Sequence, residues 1–538
     1  MIDEPCVPNI TAKKGYLSIV LHAHLPFVRH PEYSSFLEER WYFEAMNGTY
    51  IPLIAMLKRL ISENVEFELT LSLSPTLLCM MEDKLLSERY SAHLDKLIEL
   101  AKREQERNRE HGHLKWLADY YLETFIEARK IFDECGHKIC NHFRSLSESK
   151  KVHLITTSAT HAVLPLIMSE PAAVRGQIET GLKTFSNVFG YRPQGFWLPE
   201  CAFHPGIEEY MREAGIRYFF LESHGIDHAD VLPLYGVYAP LFTPSGVAAF
   251  SRDQASTEEV WSAQKGYPGD PEYREFYRDI GHELDIDYIK PYIADGVRVD
   301  TGIKYWRITG PRSQKDFYNP YRARERAAFH AQCFYDKRVA QAQYLASTMG
   351  RAPVIVATFD AELFGHWWYE GPQWLEFLIR RIAADNSRLA LISPGTYLNQ
   401  HPVHQRGAPC MSSWGHRGYF EVWCNGKNDW ILRHIHECIR RMIALTSRFG
   451  TDPSADNRRA LNQCMRELLL AQSSDWPFMI TNVTSSQYAS RRVCDHVSRF
   501  HFLADGLEND SLDKESVAAL EHLDSAFPDA DYRVFARD

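Results

Sequence analysis

The chain has 538 residues, of which 45% are hydrophobic and 24% are charged, a composition typical of a folded globular protein. This length suggests about three structural units, although one large barrel could occupy half of it. The formal net charge of -10 argues against a nucleic-acid-binding surface, which requires clustered lysine and arginine. Aromatic residues make up 13% of the chain, which suits either a large core or exposed platforms for sugar rings.

The cysteines and the hydropathy of the chain indicate in which cellular compartment the protein is expected. The 11 cysteines are irregularly spaced without a CxxC pair, which indicates reduced thiols in a cytoplasm. The N-terminal segment MIDEPCVPNITAKKGYLSIV lacks the basic start and continuous apolar run of a signal peptide. No window approaches the ~18 apolar residues of a membrane span. We therefore expect a soluble cytoplasmic protein with neither membrane nor nucleic-acid partners.

Seven short apolar segments are predicted as strands. Their near-continuous Val, Ile, Leu and Phe content is typical of parallel strands covered on both faces. Helical patterns lie between many of them, and repeating strand–helix units predict an α/β barrel. In chain order the segments are YLSIVLHAHLP from Tyr16, FELTLSLSP from Phe67, KVHLITTSATHAVLP from Lys151, GFWLPE from Gly195, IRYFFLESHG from Ile216, PVIVATFDAELFG from Pro353 and LALISPGTYL from Leu389.

Other regions depart from the strand–helix pattern. Residues 80–150 have the charge and apolar spacing of long helices, which predicts a helical insertion. Residues 265–330 form a Gly-, Pro- and Tyr-rich connection that is too long for a simple loop, so we expect it to contribute to a site. The predicted organisation is a barrel over 1–79 and 151–405, the insertion, and an all-helical C-terminal domain over 406–538.

Acidic and imidazole side chains follow directly after several predicted strands. In a barrel of parallel strands the active site lies at the carboxyl ends of the strands, so we expect these side chains to converge on one mouth. In chain order they are His22, His24, His161, Glu200, Glu222, His224, Asp360, Glu362 and His366, with Trp197, Trp367 and Trp368 beside them.

Two carboxylates across a sugar ring are the minimal apparatus for glycoside hydrolysis or transfer. One attacks the anomeric carbon or activates water, while the other must carry a proton for the leaving oxygen. Burial against aromatic rings raises the pKa of a carboxyl group, as the acid requires. Glu200 and Asp360 are the best pair, with Glu222 and Glu362 as rivals or as supporting carboxylates and salt-bridge partners.

The HAH segment permits a different chemistry. His22 and His24 are alternate residues of one strand and share a face, so together with Asp360 or His161 they could bind a metal. That arrangement would define a metal-dependent deacetylase or glycosidase. Alternatively, the imidazoles donate hydrogen bonds to sugar hydroxyls. The sequence contains no closed Cys/His set, and we predict no metal and no other cofactor.

Two late segments carry further candidates. SSWGHRGYFEVWCNGKNDW, residues 412–430, contains Trp414 and Trp423, which form either a packed interdomain seam or stacking surfaces for a long glucan. LLLAQSSDWPFM, residues 468–479, is predicted to end an apolar helix at Asp475. An acidic residue at a helix C-terminus is unfavourable for the helix dipole. We therefore expect a requirement other than helix stability to explain the presence of Asp475.

Together these segments resemble glycoside hydrolase family 57, and specifically its α-1,4-glucan branching enzymes. HAHLPFV resembles the family's first motif, WLPECAF its nucleophile motif and TFDAELFGHWW its acid motif, while the two late segments resemble the end of the branching-enzyme pattern. The resemblance runs from about Tyr16 to Phe478.

The resemblance implies a (β/α)7 barrel, the helical insertion, the helical C-terminal domain and a retaining mechanism without a metal. Glu200 matches the nucleophile position and Asp360 the general acid/base. The substrate-binding residues implied in the same way are His22, His24, His161, Arg252, Trp261, Gly269, Trp414, Trp423 and Asp475.

The implied reaction cleaves an α-1,4-glucan and transfers the chain to a 6-hydroxyl, forming an α-1,6 branch. If water reaches the site first, the same residues hydrolyse the glucan. Branching members carry a tyrosine-bearing loop after the fifth strand, but here that interval is short and its only tyrosines are Tyr235 and Tyr238. A missing lid favours water. The alternatives are therefore an α-1,4-glucan hydrolase, the metal-dependent deacetylase and a non-catalytic glucan-binding protein.

Overall fold

A computed structural model describes residues 15–262, 265–293, 296–309 and 315–536. The first 14 residues, which were assigned to the barrel and read for a signal peptide, lie outside the described residues. The described strands are β1 (Tyr16–Ala23), β2 (Leu69–Leu73), β3 (Val152–Ile155), β4 (Gly195–Trp197), β5 (Tyr218–Leu221), β6 (Leu241–Phe242), β7 (Ala248–Ser251), β8 (Val354–Asp360) and β9 (Ala390–Leu391).

Seven of these strands form a parallel ring, which is the predicted (β/α)7 barrel. One sheet has the order β3-β2-β1-β8, and the other contains β4, β5 and β7 in that order. A parallel bridge between Thr156 and Phe196 joins β3 to β4. After β7, the backbone N–H of Asp253 donates to the carbonyl of Val356 in β8 at 2.7 Å, which links the remaining edge.

The strand prediction missed one member of the ring. The segment from Leu389, predicted as a full strand, forms only the two residues of β9, which pair with Tyr16 and Leu17 of β1. The missing strand is β7, whose sequence AAFS is too short and too poor in β-branched residues to have been recognised. β6 pairs with β7 in the antiparallel sense.

The barrel strands are covered on both faces, as the continuous apolar segments predicted. All eight residues of β1 are buried. One face contributes to a small cluster inside the barrel, which contains Val20, Val356 and Trp197. The other face contributes Leu17, Ile19 and neighbours to a much larger cluster beneath the helices.

Helices surround the barrel and form most of the remaining chain. Those up to β3 are α1 (Glu39–Ala45), α2 (Ile51–Ser62), α3 (Pro75–Glu82), α4 (Lys84–Arg107), α5 (Gly112–Glu134) and α6 (Cys140–Glu148). Those between β3 and the C-terminal region are α7 (Pro171–Phe189), α8 (Ile207–Glu213), α9 (Ser223–Asp227), α10 (Gln254–Trp261), α11 (Ile280–Glu283), α12 (Ile286–Ile289), α13 (Pro320–Met349), α14 (Gly371–Ala384) and α15 (Pro394–Gln400).

The last part of the chain is helical. It consists of α16 (Trp430–Phe449), α17 (Ala455–Ala471), α18 (Asp475–Asn482), α19 (Ser486–Glu508) and α20 (Lys514–Leu523). No helix in the described part of the chain combines the length and apolarity that crossing a membrane requires. The domain boundaries given above remain predictions.

The connection between α17 and α18 reaches the barrel mouth. The hydroxyl of Thr160, just after β3, donates to the carbonyl of Leu469 at 2.5 Å. Asp475 was expected at a helix C-terminus, but α17 ends at Ala471 and Asp475 is the first residue of α18. Its charge therefore favours the dipole of its own helix instead of opposing it.

Candidate active site

The carboxyl ends of the barrel strands bring the predicted residues together. In the register of β1 and β8, His22 lies beside Asp360. The turn after β4 adds Glu200, and the α17–α18 connection adds Asp475, close enough for the charges of Asp360 and Asp475 to raise the pKa of Glu200. The mouth thus contains both predicted catalytic carboxylates.

Glu200 is presented by a strained turn. It lies in the 3₁₀ turn Pro199–Cys201 with φ 60° and ψ 22°, and Cys201 follows with φ 49°. Left-handed backbone at two consecutive non-glycine residues is costly and persists only where neighbouring contacts impose it. Here the backbone N–H of Trp414 donates to the carbonyl of Glu200 at 3.0 Å.

Two donors converge on the Glu200 carboxylate. The indole N–H of Trp414 donates to Oε2 at 2.7 Å, and the hydroxyl of Ser474 donates to Oε1 at 3.2 Å. Both bonds stabilise the ionised form, which is the form that a nucleophile needs. Burial acts in the opposite direction and raises the pKa of Glu200 to about 7.

Asp360 is the last residue of β8 and faces two cations. Burial raises its pKa to about 6, while the charges of His24 and Arg252 lower it. In the unliganded protein, the pKa values of Glu200 and Asp360 therefore both lie near neutrality. Perturbed pairs of this kind are a signature of acid–base chemistry.

The two rival carboxylates have other partners. Glu222 caps α9 by accepting from the backbone N–H of Ser223 at 2.8 Å, and its second oxygen forms an ion pair with Arg252. Glu362 accepts from the hydroxyl of Tyr50 at 2.5 Å and from the backbone N–H of His24 at 3.2 Å. These contacts favour supporting roles for both.

Burial raises the pKa of Glu362 to about 7, although the Tyr50 hydroxyl lowers it. Tyr50 ends a π-helix, Met46–Tyr50, that interrupts the first helical segment. Such π-turns are rare and frequently lie at functional sites. Tyr50 was not predicted from the sequence, because only the fold brings the end of this helix to β8.

His22 and His161 do not have the free nitrogens that a sugar-binding role would use. His22 pairs through Nδ1 with Ser72 Oγ at 2.9 Å and through Nε2 with His161 Nε2 at 3.0 Å. The remaining nitrogen of His161, Nδ1, lies 2.8 Å from Ser474 Oγ. All four ring nitrogens of the two imidazoles thus have partners within the protein, which leaves none unpaired for a sugar hydroxyl.

The same contacts argue against metal binding by the HAH pair. His22 stacks on Trp197 with ring centroids 4.6 Å apart, and burial lowers its pKa well below its ordinary value. His24 faces Asp475 instead, with Nε2 and Oδ2 3.0 Å apart. In the described part of the chain, the one close trio of potential metal ligands lies among the C-terminal helices, far along the chain from this pair.

His24 differs from the other two histidines. Burial lowers the pKa of His24. The carboxylates of Asp475, Glu362 and Glu200 together raise it by more than burial lowers it, so the net pKa is raised. Its Nδ1 is buried without a hydrogen-bond partner among the described residues. A protonated His24 therefore has an N–H available to a ligand.

Two of the three tryptophans of the 412–430 segment, Trp414 and Trp423, were predicted to bind substrate, and they are placed differently. Trp414 is half-buried beside the Arg252 guanidinium, 5.8 Å from the ring centroid. Trp423, expected as a stacking surface, is only 2% exposed and packs against Val163 and Ala202. Its ring also underlies Gly415, where a Cβ would lie 2.7 Å from it, so it supports the Trp414 loop.

A cleft of about 540 Å³ opens next to Trp414 and Arg252. Its lining is mostly polar and includes His224, Arg417 and the half-exposed ring of Tyr419. The dimensions suit several sugar units, and the aromatic rings offer stacking faces.

The other predicted positions lie outside this cluster. Trp261 ends α10 and is 63% exposed, and Gly269 ends a 3₁₀ turn, so their part in substrate binding stays a prediction. His366 and its neighbours Arg274 and Gly48 line a separate cavity of about 70 Å³, space for a few waters. Trp368 is buried, while Trp367 stacks on Phe276.

Neither tyrosine of the short interval covers the carboxylates. Tyr235 lies under Arg351, which precedes β8 and is thus at the opposite end of that strand from Asp360. The Tyr238 hydroxyl donates to Asp253 at 3.3 Å and accepts from Gln341 at 3.4 Å. Within residues 222–253 there is consequently no tyrosine lid.

A parallel barrel with buried, raised-pKa carboxylates at the carboxyl ends of its strands is the arrangement of a glycosidase-type enzyme. The chain belongs to glycosyl hydrolase family 57, whose model matches residues 18–408. Residues 434–535 match a second model, described as the C-terminal region of 1,4-alpha-glucan branching enzymes.

Individual relatives carry two kinds of name. The 1,4-alpha-glucan branching enzyme TK1436 of Thermococcus kodakarensis is 33% identical, over 92% of this chain and 74% of the relative. The solved branching enzyme of Pyrococcus horikoshii is 31% identical with a TM-score of 0.87, covering 98% and 97% of the two chains. The solved alpha-amylase AmyC of Thermotoga maritima is 44% identical with a TM-score of 0.92, covering 97% and 99%.

Proposed function

We propose that this protein is a retaining 1,4-α-glucan branching enzyme in which Glu200 is the nucleophile and Asp360 the general acid/base. The observation that carries the proposal is the strained turn that holds Glu200 under two hydrogen-bond donors, Trp414 and Ser474, facing Asp360. Membership of family 57 and the branching-enzyme model over the C-terminal helices support it.

The reaction proceeds in two displacements. A Glu200 oxygen attacks the anomeric carbon of an α-1,4-linked unit while Asp360 gives its proton to the departing O4, leaving a covalent glucosyl–enzyme. Asp360, now ionised, takes the proton of an incoming 6-hydroxyl, whose oxygen displaces Glu200 and forms the α-1,6 bond. Two inversions give net retention.

In the free pair the proton lies mainly on Glu200, whose pKa is the higher of the two. Because the pKa values of Glu200 and Asp360 are about 7 and about 6, the free pair holds roughly one proton near pH 6.5. Trp414 and Ser474 favour the ionised form of Glu200, while a bound sugar that displaces water raises the pKa of Asp360 further. Substrate binding therefore moves the proton to the acid.

The substrate is proposed to be an α-1,4-glucan lying in the cleft beside Trp414. Trp414 and Tyr419 offer stacking faces in this cleft and Arg252 a polar contact. Asp475 and His24, which pair with each other beside Glu200, are proposed to contact the sugar unit at the catalytic carboxylates. Trp261 and Gly269 are proposed to contact sugar units of the glucan that lie farther from the catalytic carboxylates. His22, His161 and Trp423 act as supports.

Hydrolysis of the same glucan is the second candidate. It is favoured by the missing tyrosine lid after β5 and by the 44% identity to a protein named an alpha-amylase. Without a lid, water competes with the acceptor for the glucosyl–enzyme. We therefore propose branching accompanied by measurable hydrolysis.

Incubation with amylose tests both candidates. Proton NMR would measure new α-1,6 linkages, and a reducing-end assay would measure hydrolysis, with the Asp360→Asn variant as the blank. A new α-1,6 signal exceeding new reducing ends supports branching. Reducing ends alone would make the protein an amylase, and glucan binding with neither product would make it a binding protein.

The biological setting is proposed more broadly. A branching activity would serve glycogen synthesis, and a reducing cytoplasm suits the ten cysteines of the described residues, all of which are unpaired.

A further inference from the structure

Five side chains at the mouth form a continuous chain of hydrogen bonds that ends at Glu200. Ser72 Oγ lies 2.9 Å from His22 Nδ1, and His22 Nε2 lies 3.0 Å from His161 Nε2. His161 Nδ1 lies 2.8 Å from Ser474 Oγ, which donates to Glu200 Oε1 at 3.2 Å. Of the five, Ser474 is already a donor to Glu200 in the proposed reaction, whereas Ser72 has no role there.

The direction of this chain follows from donor counting. Each imidazole is neutral, because burial lowers the pKa of both His22 and His161 well below the ordinary value. A neutral imidazole has one donor and one acceptor nitrogen. Since the Ser474 hydroxyl donates to an ionised Glu200, its oxygen must accept from His161 Nδ1–H.

The remaining bonds are then determined. His161 Nε2 carries no proton and accepts from His22 Nε2–H, so His22 Nδ1 accepts from the Ser72 hydroxyl. Every bond points towards Glu200. A protonated Glu200 can still accept the Ser474 hydrogen, but more weakly than an ionised carboxylate does, so the chain in this direction favours the ionised form.

We propose that Ser72 and Ser474 are positioning residues that favour the ionised form of Glu200 through this chain of hydrogen bonds across His22 and His161. The inference rests on the proposed nucleophilic role of Glu200. It also accounts for two expensive features, a buried pair of facing imidazoles and the left-handed backbone of His161 at φ 56°, which aims its ring at both neighbours.

Removing the Ser72 hydroxyl tests whether a change at one end of the chain alters the hydrogen bond at Glu200, because four hydrogen bonds separate the two residues. In Ser72→Ala, His22 Nδ1 would be a buried acceptor without a donor, which is costly. The opposite tautomer would make Nδ1–H a buried donor without an acceptor, so in this variant neither tautomer of the pair is favoured over the other and the reversed chain becomes populated. In the reversed chain, His161 Nδ1 accepts the Ser474 hydrogen, and Glu200 loses it.

The readout is the pH dependence of kcat/KM with an α-maltooligosyl fluoride, whose leaving group needs little protonation, so the acid limb reports ionisation of the nucleophile. We expect Ser474→Ala to move this limb upward by about one pH unit and to lower kcat/KM at pH 5 about tenfold. Ser72→Ala should move it the same way by about half a unit.

Other charged groups that face Glu200 stay unchanged in these variants. They are His24, Asp360 and Asp475, together with the neutral His161. Ser474→Thr, which keeps the hydroxyl, should restore the wild-type limb. Ser18→Ala is the matched control, because Ser18 is buried on the same inward face of β1 as His22 but its hydroxyl has no partner among the described residues.

A purely structural role would lower kcat/KM by one factor at every pH, and that result would overturn the proposal. An acid limb that moves in Ser474→Ala but not in Ser72→Ala would overturn it as well, since the chain would not transmit.

A second measurement does not depend on turnover. Nitrogen-15 NMR of histidine-labelled protein, assigned with His22→Gln and His161→Gln, should place the proton on Nε2 of His22 and on Nδ1 of His161. Ser72→Ala should populate the opposite tautomer of each histidine beside the original one. The opposite tautomers in the wild type would overturn the inference, whereas absent turnover with the expected tautomers would overturn only the proposed function.

Discussion

The barrel mouth and the core of the C-terminal helices both bury carboxylates beside imidazoles. Arginine bonds the buried Asp524 directly among the helices, whereas no direct arginine bond to Glu200 or Asp360 is present in the described part of the chain. The helical set, here called the bundle network, consists of Glu467, His496, Asp524, Arg492 and Arg499. Arg499 donates to Asp524 and His496 Nδ1 to Glu467, each at 2.7 Å, and Arg492 donates to His496 Nε2 at 3.0 Å.

The protonation states of the two regions differ accordingly. Burial raises the pKa of Asp524. The charges of His496, Arg492 and Arg499 together lower it by more than burial raises it, so its net pKa is lowered. At the mouth, Arg252 acts on Asp360 only through its charge, without a hydrogen bond, and burial raises the pKa of Asp360 to about 6. Direct arginine pairing fixes a buried charge for stability, while hydroxyl and indole donors leave it able to titrate.

This difference also explains why the trio of Glu467, His496 and Asp524 is not assigned to a metal. Its ligand atoms lie within 4.8 Å of one another. However, the cationic position is already filled by Arg492 and Arg499, which bond the imidazole and the carboxylate from the outside. A divalent ion would have to displace them.

The largest expected effect separates chemistry from binding at the mouth. Glu200→Gln should lower turnover roughly 10⁴-fold or more, because the covalent step is lost, while amylose binding is kept. Glu209→Gln, an exposed position on α8, is the matched control and should be neutral. Azide should rescue Glu200→Ala with an inverted product and Asp360→Ala with a retained one. The reverse pattern of products would exchange the two roles.

Breaking the bundle network should cost stability and leave the pH profile of activity alone. Asp524→Asn removes the carboxylate shared by the buried Arg492 and the half-buried Arg499, so we expect the free energy of unfolding to fall by roughly 3–5 kcal/mol. Glu437→Gln, at an exposed ion pair with Arg440, should change it by less than about 0.5 kcal/mol. Chemical denaturation measures both. A shifted acid limb in Asp524→Asn would contradict the separation of the two regions.

Loss of the Tyr50 hydroxyl should have a smaller effect at the mouth. In Tyr50→Phe, the pKa of Glu362 rises further because its donor is gone, and we expect kcat to fall roughly tenfold. Tyr90→Phe is a suitable comparison, since Tyr90 is equally buried but bonds Asn47 instead of a carboxylate. Equal losses in both variants would indicate a packing effect only.

The smallest effect concerns stability against pH. The folded pKa of Asp360, about 6, lies above its unfolded value, so its contribution is present below about pH 4 and is lost as the pH rises through 6. Asp360→Asn removes that loss. Its melting temperature relative to wild type should therefore be roughly 1–2 °C more favourable at pH 8 than at pH 4. A pH-independent difference would show that Asp360 is not destabilised when ionised.

The sequence located the strand ends well, because continuous apolar runs mark buried parallel strands and the residues that follow them are read directly. Six of the seven barrel strands and the Glu200–Asp360 mouth were predictable on that basis. β7 was missed because four residues of AAFS carry little signal. The serines of the hydrogen-bond chain were missed because Ser72 and Ser474 meet only in three dimensions.

Side-chain roles were the least accessible from the chain alone. His22 and His161 were expected to bind sugar, yet each uses both nitrogens within the protein. Trp423 was expected as a platform and is buried. In each case the residue type indicated a site, but orientation and burial, which depend on distant elements, decided between contact and support.

The α17–α18 connection carries Ser474 and Asp475 into the barrel mouth, and this has a consequence for synthesis of the protein. A growing chain contains every barrel strand, Glu200 and Asp360 long before it contains these two residues, which come at positions 474 and 475 of 538. A ribosome-bound barrel would hold a nucleophile without its hydroxyl donor and a His24 without its carboxylate. Glucan-modifying activity would therefore appear only once the C-terminal helices pack against the barrel. A truncated chain with a complete barrel would be inactive.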